Sequence, residues 1–124
     1  MAAQGRILAI DDEKNIRHLI ESEFTLEGFD VTTAASGEEG LQRFDQDKFD
    51  MVFLDLRLPK MDGIEILKIF KKLIPAMPVI MLTGHGSEQA AREGVASGAF
   101  DYLTKPSDLE DLVAKIMQAV EGET

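Results

Sequence analysis

The chain's 124 residues, 44% hydrophobic and 29% charged, fit one domain with enough apolar material to bury a core. Thirteen basic residues against 23 acidic ones give a formal net charge of −10, which argues against a direct grip on nucleic acid and is compatible with a cation site, although a solvated acidic surface accounts for most of the excess. The absence of cysteine excludes disulfides, thiolate metal sites and thiol nucleophiles.

Met1 to Arg6 hold no apolar leader, and Ile7-Leu8-Ala9-Ile10 is a short apolar run that stops on Asp11-Asp12-Glu13, the pattern of a buried strand entering an acidic turn. Residues 14–27 place Ile16, Leu19, Ile20 and Phe24 at helical spacing, and Gly28 supplies the stop. Phe29 to Ala34 reads as a strand polar enough, with Asp30, Thr32 and Thr33, for a sheet edge. Ser36 and Glu39 form a capping-box pattern over a short helix that offers Leu41 and Phe44 to the core. Met51-Val52-Phe53-Leu54 predicts a strand buried on both faces, and it ends abruptly on Asp55. Asp62 and Glu65 repeat the capping pattern over a helix from Gly63 to Leu73.

Pro75 and Pro78 bracket the turn into Val79-Ile80-Met81-Leu82, a further buried strand that ends on Thr83-Gly84-His85-Gly86. Ser87 opens a helix to Ser97 whose apolar face (Ala90, Ala91, Val95) is small, so it is expected to be the least firmly packed. Ala99 to Leu103 is a last, shorter strand ending at Thr104-Lys105-Pro106. Ser107 and Glu110 then cap a final helix carrying Leu109, Leu112, Val113, Ile116, Met117 and Val120. No apolar run approaches the roughly 18 residues that cross a bilayer, so the expectation is a cytoplasmic protein with no membrane partner.

Five strands alternating with five helices predict an α/β fold, a parallel sheet covered on both faces. The greasiest strands, 7–10, 51–54 and 79–82, belong in the middle and the more polar two at the edges, which favours the order 2-1-3-4-5, the flavodoxin-like doubly wound (βα)5 arrangement. Ligands of such sheets bind beyond the carboxyl ends of the strands. Asp11, Asp12, Asp55, Thr83 and Lys105 all fall there and are expected to share one crevice. Three clustered carboxylates repel one another, and oxygen ligands without His or Cys point to Mg²⁺ or Mn²⁺. With Lys105 and the Thr83 hydroxyl suited to phosphate oxygens, Asp55 reads as a phosphoryl acceptor.

Asp11-Asp12 after the first strand, Asp55 followed by Leu58-Pro59-Lys60-Met61-Asp62-Gly63, Thr83-Gly84, and Lys105-Pro106 together resemble the receiver domain of two-component response regulators, across essentially the whole chain. None of these signals is specific alone; the ordered set is. The resemblance implies that Asp55 takes a phosphoryl group from a phosphohistidine on a sensor histidine kinase or phosphotransfer protein. It implies Mg²⁺ bound by Asp12, Asp55 and the backbone carbonyl of Arg57, with Asp11 acting partly through water. Lys105 would hold the phosphoryl group, with a cis bond to Pro106. Thr83 would move towards that group and Tyr102 would turn inward, changing the surface of the fourth helix, last strand and last helix that an effector domain or partner reads. Arg57 and His85 would tune the lifetime of the phosphoryl group. The Leu82-Thr83-Gly84-His85-Gly86 run looks most like receivers that control transcriptional activators. The implied role is a regulatory phosphoacceptor rather than an enzyme acting on other molecules; a homodimer on activation stays open, with nothing in the sequence to support it.

Blander readings stand beside these. Asp11 and Asp12 could cap the first helix, Asp55 could be a turn residue and Lys105-Pro106 an ordinary loop. Asp62-Gly63 serves turn and cap, and Tyr102 could be a half-buried aromatic with a wet hydroxyl. His18 and His85 read as surface residues, and the six methionines as core filler. A flavin module on this fold would want a Ser/Thr/Gly-rich loop where Asp11-Asp12-Glu13 stands. An aspartyl phosphatase would want its nucleophile at the first strand; Asp11 and Glu13 have the required spacing, whereas Asp55 is followed two places on by Arg57. A pseudo-receiver that binds partners without phosphorylation would be expected to lack a core residue, and none is missing.

Overall fold

The apolar runs become strands and the amphipathic segments helices in the computed structural model, which describes residues 5–58, 60–84, 88–105, 111 and 114. In order they form β1 (Arg6–Ile10), α1 (Lys14–Leu26), β2 (Asp30–Ala34), α2 (Gly37–Gln46), β3 (Met51–Asp55), α3 (Gly63–Leu73), β4 (Val79–Thr83), α4 (Glu88–Ala96) and β5 (Asp101–Thr104). All strand pairs are parallel, and the order is β2-β1-β3-β4-β5, as the polarity of the edge strands predicts. The predicted final helix lies outside the described residues apart from Asp111 and Ala114, both helical, and so do His85 and Pro106 with its peptide bond.

The central strands are apolar throughout because both of their faces are covered. Leu8, Ile10, Val52, Leu54, Val79 and Met81 point into one layer, where they meet Ile66, Leu67 and Phe70 of α3, with Leu41 and Phe44 of α2 and Ala90 of α4 against them. The alternate residues Ile7, Ala9, Phe53, Ile80 and Leu82 form the other layer with Ile16, Ile20 and Phe24 of α1. The two-residue period of a strand thus feeds two separate cores from one run.

Two helix ends fix where the edge strands begin. Gly28 takes φ 94°, its N–H donates to the Thr25 carbonyl, and the Phe29 N–H reaches back to Phe24, whose ring packs edge-on against that of Phe29 at 5.7 Å. Gly98, at φ 117°, ends α4 in the same way, with the Ala99 N–H donating to Gly94. These residues are spent on closing helices, so β2 and β5 start later than their apolar runs suggest. The α4 helix is sparsely packed as expected: Ala91 is fully buried, but Val95 is 39% exposed.

Candidate functional site

In a parallel sheet the carboxyl ends of the strands share one edge, and the register puts Asp55 beside Leu82 and Thr83 beside Thr104 there. Asp11 follows β1 and continues its ladder, its N–H donating to the Ala34 carbonyl at 3.0 Å. Its carboxylate is fully buried and accepts the Glu13 N–H at 2.8 Å, while its carbonyl accepts Arg17 Nη1 at 2.8 Å. Asp11 thus forms a turn ahead of α1 rather than a cap on it, since the N-cap is Glu13 with no side-chain cap bond, and the turn uses only one of the two carboxylate oxygens.

Asp55 closes β3 and is 3% exposed; its Oδ1 accepts the Arg57 N–H at 3.1 Å. The loop behind it is drawn tight by the Arg57–Asp62 bridge and by the Gly63 N–H, which donates to the Leu56 carbonyl at 3.2 Å. A Cβ at Gly63 would stand 2.6 Å from the Asp55 carbonyl oxygen and 2.7 Å from that of Leu56. Only glycine lets α3 start so close to the backbone of Asp55. Asp62 caps α3 by accepting the Ile64 N–H at 3.0 Å, one residue short of the capping-box donor, whereas Ser36 accepts the Glu39 N–H at 3.1 Å as the pattern predicts.

Lys105 follows β5, its N–H donating to the Thr83 carbonyl at 2.8 Å. Its Nζ lies 2.9 Å from Glu13 Oε1, 3.1 Å from Asp11 Oδ2 and 3.5 Å from Asp55 Oδ2. Between these residues opens a cavity of about 200 Å³ lined by Asp12, Glu13, Asp55, Leu56, Arg57, Gly84 and Lys105.

Burial, and then the neighbouring Asp11 carboxylate, push Asp55 up to about 7, against the pull of the Arg57 N–H and Lys105. Burial likewise raises Asp11 above the usual carboxylate range. For Lys105 burial acts in the lowering direction, but the Glu13 hydrogen bond and the Asp11 and Asp55 charges outweigh it and hold the ammonium above its ordinary value. One ammonium thus faces a surplus of negative charge. One oxygen each of Asp11, Asp12 and Asp55 lies within 4.8 Å of the others, a hard-oxygen set that fits a small divalent cation.

Not every expected residue reaches the cavity. Thr83 is fully buried at the end of β4, its hydroxyl donates to the Gly84 carbonyl at 3.2 Å, and Gly84 rather than Thr83 lines the wall. Tyr102 is half-buried and packs on the core layer shared with α3 and α4. Arg57 lines the cavity and is exposed, and His18 is exposed on α1. Glu13 is the residue sequence reasoning missed. The Asp-Asp-Glu run advertised a third acid, but nothing local reveals a partner 92 residues away.

The family model of the response regulator receiver domain matches residues 7–117. The chain belongs to the response regulator receiver family. Among curated relatives, the receiver is 38% identical over 121 residues to the regulatory protein AtoC of Escherichia coli K12, covering 98% of this chain and 26% of AtoC. It is 41% identical over 117 residues to the transcriptional regulatory protein GlrR of the same organism, covering 94% of this chain and 26% of GlrR. The chain therefore spans about a quarter of these relatives' length. Among solved structures, a receiver domain protein from Clostridium thermocellum superposes with a TM-score of 0.79 at 36% identity over 100% of both chains. NtrX from Brucella abortus gives 0.85 at 33% identity, covering 98% of this chain and 27% of that one. Among the described residues no helix of the receiver is long and apolar enough to cross a membrane.

Proposed function

We propose that this receiver is a Mg²⁺-dependent phosphoacceptor switch in which Asp55 takes a phosphoryl group from the phosphohistidine of a sensor kinase or phosphotransfer protein. The observation that carries this reading is the placement of Asp55, beside Asp11 and Asp12 and 3.5 Å from Lys105, at the wall of an open cavity. In the transfer an Asp55 oxygen bonds to phosphorus and the P–N bond to the donor imidazole breaks, its electron pair going to the ring nitrogen. Asp11, Asp12, Asp55 and the Arg57 carbonyl would hold Mg²⁺, which when bound neutralises charge on the carboxylates and the phosphoryl oxygens. Lys105 stabilises the transferred group as a point charge.

Thr83 and Tyr102 are the proposed switch residues. In the resting arrangement the Thr83 hydroxyl is bonded to Gly84, so its turn towards a phosphoryl group exchanges one hydrogen bond for another. The sparse packing of α4 suits a surface that changes on activation, because movable elements come from the loosely held end of a fold. That α4–β5 face is the proposed contact for an effector domain or partner, and the last helix expected from the sequence to share it lies outside the described residues. Control of transcription is the proposed output, supported by the name of the transcriptional regulatory protein GlrR. Arg57 and His85 are the proposed lifetime-tuning positions, the proposed domain core spans about residues 5–121, and the proposed location is the cytoplasm.

The test is intact mass after incubation with Mg²⁺ and a small-molecule phosphodonor, for wild type and Asp55→Asn in parallel. One added phosphoryl group in the wild type alone is expected. Addition to both moves the acceptor elsewhere. Addition to neither, with Mg²⁺ binding confirmed, leaves a phosphorylation-independent binding module.

A further inference from the structure

Lys105 has three N–H donors, and in the resting receiver three carboxylates surround its Nζ. The three contacts differ in what their loss costs. Asp11 is fully buried, so an oxygen of Asp11 left without Lys105 would be unpaired away from water. Asp55 has a side chain 4% exposed and is the proposed acceptor itself. Glu13 makes the shortest contact, at 2.9 Å, yet its side chain is 58% exposed, so water can replace the ammonium there at little cost. Glu13 also lines the cavity that an incoming phosphoryl group must enter.

From this geometry we infer that Glu13 is an electrostatic gate on the phosphoacceptor site: it holds Lys105 in the resting state and opposes anionic donors until Lys105 is transferred to the phosphoryl group. The inference rests on the proposed role of Asp55 and adds the regulation of that site. Two properties follow from one carboxylate. A donor that places more negative charge in the cavity meets more resistance from Glu13. The ammonium released from Glu13 then becomes the counter-charge of the transferred group, so entry of phosphate and loss of the bond between the β1–α1 turn and the residue after β5 are one event.

The test compares labelling rates of wild type, Glu13→Gln and Glu13→Asp with two donors under saturating Mg²⁺. Acetyl phosphate arrives as a dianion; its P–O bond breaks and acetate leaves with the electron pair. Phosphoramidate carries a single net negative charge; its P–N bond breaks and ammonia leaves from a nitrogen that already bears its protons. Removing the Glu13 charge is expected to speed acetyl phosphate by about tenfold and phosphoramidate by about threefold, the larger gain going to the more highly charged donor. Glu13→Asp, which keeps the charge, is expected to keep the wild-type donor preference. Unchanged or slower labelling of Glu13→Gln by acetyl phosphate, an equal gain with both donors, or the same shift in Glu13→Asp overturns the gate. Failure of the wild type to label with either donor overturns the phosphoacceptor reading itself, and the gate with it.

Discussion

Lys105 Nζ lies 3.5 Å from Asp55 Oδ2 although their strands, β5 and β3, are not neighbours; β4 runs between them. The lysine spans that strand from a backbone anchored to it, its own N–H bonded to the Thr83 carbonyl. Lys105 thus ties the Asp55 carboxylate to the strand that bears Thr83 and to the residue that follows β5.

The buried carboxylates make the metal-free domain less stable as pH rises. Asp55 moves from an ordinary 3.8 to about 7 on folding, so between those values the native state binds more protons than the unfolded chain. The favourable contribution is complete below about pH 4 and is lost as pH climbs through 7; Asp11 is raised as well and acts in the same direction. In EDTA the wild type is expected to lose on the order of 2–4 kcal/mol between pH 4 and 7.5 from this group. Asp55→Asn should flatten that decline in thermal melts across the range. A wild-type midpoint that rises with pH, or a parallel decline in the variant, contradicts the assignment.

Asp12 is exposed at the cavity, so Asp12→Ala should fold normally while losing one ligand of the proposed cation. Mg²⁺ affinity is expected to fall by about tenfold or more, the loss typical when part of a metal site is removed. Titration by calorimetry, or by the metal-induced rise in melting temperature, reads this directly. An unchanged titration removes Asp12 from the site.

Lys105→Ala withdraws the ammonium that faces Asp11, Glu13 and Asp55. Without metal the variant should be destabilised by about 1–3 kcal/mol, since buried carboxylate oxygens lose their hydrogen-bond partner. Mg²⁺ should still bind and offset part of the loss, but labelling of Asp55 or the ensuing shape change should fail. Wild-type labelling together with wild-type signalling would dismiss the proposed role of Lys105.

Gly63→Ala tests how the acceptor is held. The added Cβ falls 2.6 Å from the Asp55 carbonyl, so either the loop or the start of α3 must shift. A destabilisation of about 1–3 kcal/mol is expected, the range for overpacking in a tightly packed site. Chemical denaturation measures it; a change below about 0.5 kcal/mol would mean that the loop adapts freely.

Much of the fold was legible because its signals are local or additive. The polar strands Asp30–Ala34 and Asp101–Thr104 occupy the edges that their composition suits, and the apolar runs ending on Asp11, Asp55 and Thr83 are buried strands in one parallel sheet. Gly28 and the Ser36–Glu39 cap were readable from spacing alone. The site was legible as a set of strand ends, which fixes where backbones arrive but leaves the destinations of side chains open. Thr83 shows the difference: its position is as expected, and its hydroxyl is bonded away from the acceptor. Glu13 shows the converse, a side chain whose partner depends on a contact across 92 residues that no local pattern encodes. The steric demand at Gly63 belongs to the same class, since it depends on how closely α3 approaches β3.

The span of the Lys105 contacts has a consequence for biosynthesis. The acids after β1 leave the ribosome early, and the ammonium that reaches them follows 92 to 94 residues later. Until β5 docks, the growing chain carries Asp11, Glu13 and Asp55 with no counter-charge from Lys105. The cluster of Lys105 with Asp11, Glu13 and Asp55 is therefore complete only in a sheet in which β5 has joined β4.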